Sequence, residues 1–121
     1  MNDTTLRLIF SLTSGHCHFC GDKLFFSRRG MKKGQPEKGA WEVDHVIQKH
    51  KGGKNAVENY LPACVRCNRL RWHRKGRALR EILILGLIAQ DEIKKDTDTG
   101  KTIKRLKKKR QLATEKRRSR A

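Results

Sequence analysis

The chain has 121 residues, 36% hydrophobic and 35% charged, with 30 Lys and Arg against 12 Asp and Glu and a formal charge of +18. That length accommodates one small domain with a thin core plus a tail, and excludes two independent cores. So basic a surface repels itself unless a polyanion neutralises it, which points to nucleic acid, with an anionic membrane surface or ribosomal RNA as the alternatives.

The first twelve residues, MNDTTLRLIFSL, place Arg7 inside the apolar stretch and have neither a basic leader region nor a small-residue cleavage site, so no export signal is read there. The longest apolar run, ILILGLIA at 82–89, falls far short of a bilayer span. The expectation is an intracellular, reducing compartment, cytoplasmic if the source is bacterial, with no membrane partner. Residues 4–13 read as a short helix or strand, followed by Gly15 and Gly21 as turn residues. Residues 23–26 read as a strand, and 27–39 as an exposed basic loop rich in Gly, Lys and Arg.

Residues 41–47 (WEVDHVI) have the β-favouring alternation of a strand. A loop turning at Gly52-Gly53 leads to a return strand at 60–63. From about Val65 the pattern becomes helical, with a break at Gly76. In the second helical stretch Leu79, Ile82, Leu83, Gly86, Gln90 and Ile93 share a face. Ile84, Leu85, Leu87 and Ile88 extend the apolar surface around most of the circumference, which predicts burial on two sides, one against either the N-terminal segment or a second subunit. Beyond residue 100, eleven Lys and Arg stand against Glu115 alone, a net of +10. Such a block buries no core, so 96–121 is expected to be a disordered basic tail, or a helix only on a polyanion.

Four cysteines form two Cys-x-x-Cys pairs, Cys17–Cys20 and Cys64–Cys67. In a reducing compartment such pairs read as metal ligands rather than disulfides, and together they suit one closed, tetrahedral, structural zinc site. His16 and His18 flank the first pair as weaker candidates. Between the pairs lie Asp44-His45, the Gly52-Gly53 turn and Asn59, and Asn68 follows the last cysteine.

Taken in order, Asp44-His45, Gly52-Gly53, Asn59-Tyr60-Leu61 and Cys64-x-x-Cys67-Asn68 resemble the HNH endonucleases, the ββα-metal nucleases, and Cys17-x-x-Cys20 is similar to their zinc-stapled subgroup. The resemblance is direct over residues 41–74. It implies an α+β fold: a small ββα-metal domain with a four-cysteine zinc site over residues 1–95, C-terminal helices, and the basic tail of 96–121. It also implies DNA phosphodiester hydrolysis dependent on a divalent cation, magnesium or similar, with RNA not excluded.

Within that resemblance His45 is the expected general base, because imidazole titrates near neutral pH. Asp44 and Asn68 are the expected ligands of the catalytic cation, their oxygens suiting magnesium, and Asn59 orients His45 through backbone bonds across the loop. Asp44 would face away from His45 in a regular strand unless the backbone bends there. Many relatives carry histidine at the position of Asn68. His73 is a further candidate ligand, with a phosphate contact as its alternative. Arg66, Arg69, Arg71 and Arg74 are expected to contact DNA phosphates, and the apolar helix of 79–93 is a candidate homodimer surface. The other reading is a zinc-stapled nucleic-acid-binding protein without catalysis, in which Asp44, His45 and Asn59 hold the hairpin.

Overall fold

In the computed structural model, which describes residues 1–30, 37–72 and 76–120, the chain opens with helix α1 (Asp3–Ser11). The choice of helix over strand has a local cause. Asn2 Oδ1 accepts the Thr5 N–H at 2.8 Å, an N-cap bond that satisfies an otherwise orphaned donor. Leu6 and Ile9, three residues apart, are then buried on one face.

Residues 23–26 do not form a strand. Lys23 makes an isolated antiparallel bridge with His16, and the chain then turns, with the Arg28 N–H donating to Phe25 O at 2.9 Å. The apolar residues serve the core instead: Leu24 is buried, and the Phe26 ring meets Phe10 edge-on, centroids 5.5 Å apart. An apolar run can be consumed by packing as well as by a sheet, and only its partners decide which.

The sheet has two antiparallel strands, β1 (Trp41–His45) and β2 (Tyr60–Cys64), in a register pairing Trp41 with Cys64 and His45 with Tyr60. Trp41 is fully buried, its ring 5.4 Å from Phe10 and its indole N–H donating to Phe26 O at 3.1 Å. The hydrophobic core thus lies at the Trp41–Cys64 end and leaves His45 half-buried at the other. Strand β1 ends two residues short of expectation: the Val46 N–H still reaches Asn59 O at 2.9 Å, but the Ile47 N–H goes to the Asn59 side chain and the backbone pairing stops there.

The loop between the strands contains two short 3-10 turns, Lys49–Lys51 and Val57–Asn59. Gly52 closes the first with φ 89°, a left-handed conformation that suits glycine. At Gly53 a Cβ would collide with the Ile47 carbonyl oxygen, so the loop doubles back on the strand end only because no side chain is there.

Helix α2 (Val65–Trp72) starts directly after Cys64 and carries Cys67 in its first turn; α3 (Gly76–Lys94) and α4 (Asp98–Arg120) follow. One expectation fails in this half. No residue of α3 is buried; Leu83, Leu85 and Leu87 are 57%, 62% and 60% exposed. Helix α1 spends its apolar face on the sheet and its core, so it does not cover α3. The basic stretch of 96–121, expected to be disordered or a helix only on a polyanion, is helical over Asp98–Arg120. Thr97 Oγ1 accepts the Gly100 N–H at 3.0 Å, Asp98 sits in the first turn, and the Lys, Arg, Gln and Leu that follow are good helix formers. Helix α4 also docks at the first cysteine pair: Arg110 Nη2 lies 3.2 Å from Asp22 Oδ1. Its backbone comes so close to Gly21 that a Cβ there would overlap Arg110.

Candidate functional site

The four cysteine sulfurs all lie within 4.8 Å of one another, with Cys20 and Cys64 Sγ 3.9 Å apart. A tetrahedral zinc site with Zn–S bonds of ~2.3 Å sets its sulfurs about 3.8 Å apart, so the donor set and spacing suit zinc. Each pair curls around a backbone N–H that donates to sulfur: Phe19 to Cys17 Sγ at 3.4 Å and Cys67 to Cys64 Sγ at 3.3 Å. The thiols also divide their protons unevenly. Hydrogen bonds from Cys17, Cys64 and Cys67 drive Cys20 far below the ordinary thiol range, whereas Cys17 and Cys20 push Cys64 and Cys67 up. The negative charge thus sits mainly at Cys20, close to Arg66. Arg66 responds to it: burial opposes its charge, but attraction to Cys64, Cys67 and Cys20 wins and raises its pKa.

Asp44 is 1% exposed. Its Oδ2 accepts from His18 Nε2 at 2.8 Å and from Arg71 Nη1 at 2.6 Å, while Oδ1 is buried with no hydrogen-bond partner among the described residues. Arg71 also donates to the carbonyls of His45 at 2.9 Å and Val46 at 2.6 Å. It therefore clamps the end of β1 to α2, with its side chain only 13% exposed. Glu42 lies two residues before Asp44, hence on the same face of β1. It accepts from Asn68 Nδ2 at 3.2 Å and lies 3.5 Å from Arg69. Asn68 Oδ1 in turn accepts the Trp72 indole N–H at 3.0 Å. The structure thus brings Asp44 and Asn68 to the α2 side of the strand, with Asn68 bonded to Glu42.

His45 turns to the other face, its ring edge-on to Tyr60 across the ladder at 4.9 Å. Its Nε2 lies 2.9 Å from Asn55 Oδ1. An amide oxygen only accepts, so Nε2 carries the hydrogen and the lone pair resides on Nδ1. Asn59 is buried and closes the loop: its Oδ1 accepts the Ile47 N–H at 2.8 Å, and its Nδ2 donates to Ile47 O at 3.0 Å and Lys54 O at 2.9 Å. It reaches His45 only through the backbone.

The Arg66 and Arg69 side chains are 64% and 48% exposed, each beside a carboxylate, Asp22 at 3.9 Å and Glu42 at 3.5 Å. His73 and Arg74 lie outside the described residues. His16 bonds locally, to Ser14 O at 2.9 Å, and His50 is exposed in the first 3-10 turn.

The model of the HNH endonuclease family matches residues 17–74, a span that begins at the first cysteine and contains both pairs, the hairpin and α2. Residues 17–74 belong to the HNH endonuclease family. Searches of curated proteins and of solved structures gave no match.

Several partners in this HNH domain carried little signal in the sequence. His18 stands between two zinc-spaced cysteines, where a histidine reads only as a spare ligand. Asn55 and Glu42 carried one signal each: Asn55 occupies the short loop that returns to His45, and Glu42 shares a face with Asp44. The oxygen donors around α2 (Asp44, Asn68, Glu42) are hard ligands that suit magnesium, and the unpartnered Asp44 Oδ1 is an oxygen that a cation would satisfy. Among the described residues, no helix is long and apolar enough to cross a membrane.

Proposed function

We propose that this chain is an endonuclease that hydrolyses DNA phosphodiester bonds with a divalent cation such as magnesium. The observation that carries the reading is His45: in an HNH domain, at the open end of the hairpin, its Nε2 hydrogen is held by Asn55. Nδ1 of that ring is then the atom that takes a proton from the attacking water. Asn59 fixes the loop on which Asn55 is carried. Asp44 and Asn68 would hold the cation. Bound there, it would neutralise charge developing on the phosphate. The exposed Arg66 and Arg69, with Arg74, neutralise backbone phosphates, and the basic α4 extends that surface.

Cleavage of supercoiled plasmid by zinc-loaded protein, with magnesium and again with excess chelator, tests this. Magnesium-dependent nicking is expected; tight DNA binding without any cleavage would refute the enzymatic reading. One observation favours that second reading, a non-catalytic zinc-stapled nucleic-acid-binding module. Arg71 and His18 already satisfy one oxygen of Asp44, as an ion pair that merely holds the hairpin would.

A second copy of the chain is our proposed occupant for the exposed α3. Contiguous apolar surface of this kind is rare on monomers. Arg77 and Arg80 outweigh Glu81 near one end, and Asp91 and Glu92 outweigh Lys94 near the other, so two α3 helices paired antiparallel bring ends of opposite net charge together. A mass in sedimentation equilibrium that stays at one chain over a wide concentration range would exclude it.

A further inference from the structure

We infer that His18 is a positioning residue for Asp44: by holding one carboxylate oxygen it directs the other toward the catalytic cation, so the zinc knuckle orients the reacting site as well as stabilising the fold. The inference rests on the reading that Asp44 binds a cation. It is carried by how the bonds are distributed. Two donors, His18 Nε2 and Arg71 Nη1, converge on Asp44 Oδ2 at 2.8 and 2.6 Å, while Oδ1, equally enclosed, has no hydrogen-bond partner among the described residues.

An arginine whose task is to neutralise a carboxylate commonly grips both oxygens with its two-pronged end. Arg71 does not. It sends its second nitrogen to the Val46 carbonyl at 2.6 Å, so the carboxylate keeps one saturated and one open oxygen. A carboxylate pinned in this way offers a single ligand atom in a single direction.

His18 is suited to the pinning because its own freedom is gone. It is fully buried, and its backbone N–H donates to Pro62 O on β2 at 3.0 Å. Its ring packs on Phe19 at 4.1 Å. It also sits between Cys17 and Cys20, so metal binding at those sulfurs sets where its ring lies. Carboxylate ligands of metal sites are in general oriented by such outer partners.

The probe is Mn2+ alone, titrated into full-length, zinc-loaded protein and followed by the loss of the free-ion electron paramagnetic resonance signal. His18→Met and His18→Gln make the comparison, since the two side chains are close in size and only glutamine can donate to Asp44. His18→Met is expected to weaken Mn2+ binding ~10–100-fold, with His18→Gln restoring most of it and zinc content unchanged in both. Parental affinity in His18→Met would overturn the inference. Asp44→Asn separates this from the reading beneath it: parental Mn2+ affinity in that variant would mean that Asp44 holds no cation at all. The unaltered chain supplies a readout independent of how the variants fold. The His18 ring N–H proton should be slow to exchange and should shift in the NMR spectrum when magnesium saturates the site, and an unmoved resonance would equally overturn the proposal.

Discussion

At the scale of single residues, the site depends on side chains that position other side chains. His45 is one imidazole among five histidines; what distinguishes it is Asn55, whose amide oxygen selects the tautomer. Replacing Asn55 with Ala removes that selection and leaves the ring free to turn. Cleavage should fall by ~10-fold or more, within the 10²–10⁴ that a general base contributes, while zinc content and DNA affinity stay unchanged. Single-turnover rates measure this, and a parental rate would remove Asn55 from the mechanism. Asn59 acts differently. Its three loop bonds, to Ile47 and Lys54, are part-buried and are lost when it is replaced. Asn59→Ala should therefore lower the unfolding free energy by about 1–3 kcal/mol, read from urea denaturation of the zinc-loaded protein.

At the scale of elements, the cysteine pairs substitute for a core that is too small. Trp41, Phe10, Phe26 and a few aliphatic residues pack at one end of a two-stranded hairpin, and such a hairpin is marginal by itself. A structural zinc contributes on the order of 10–16 kcal/mol in small metal-folded peptides. One zinc per chain is expected by elemental analysis. Cys64→Ser, or prolonged chelation, should produce loss of fixed tertiary structure by near-ultraviolet circular dichroism; soluble, cooperatively folding protein without zinc would contradict this.

The same elements show what the sequence could reveal. The strands of the hairpin, the cysteine cluster and α2 were legible because each follows from local pattern and spacing: alternation at 41–47, two-residue cysteine gaps, and helix formers after Cys64. The residues that crowd around Asp44 were not. Bringing His18 and Arg71 to one oxygen requires partners 26 and 27 residues away in sequence, and no local pattern encodes them. The strand expected at 23–26 failed for the same reason. Whether Leu24 and Phe26 pair or merely pack depends on partners elsewhere in the chain. Burial was expected of α3 from its apolar sequence, but composition cannot say which neighbour is within reach.

At the scale of the whole molecule, a compact head built around the cysteine cluster carries a long basic helix docked through Arg110 to Asp22, with its guanidinium also 3.5 Å from Cys20 O. Replacing Lys104, Arg105, Lys108 and Lys109 with Gln leaves that docking in place and removes only charge. DNA affinity should weaken and its dependence on salt flatten, by up to about 0.9 in slope for each phosphate that is no longer neutralised, with single-turnover cleavage at saturating DNA preserved. An unchanged slope over a salt series would show that α4 does not lie on DNA. Catalysis itself is tested most directly at His45. In His45→Ala, magnesium-dependent single-turnover cleavage should disappear while DNA affinity and zinc content remain those of the parent, because a general base acts on the transition state and adds little to ground-state binding. Cleavage by that variant at the parental rate would contradict the account.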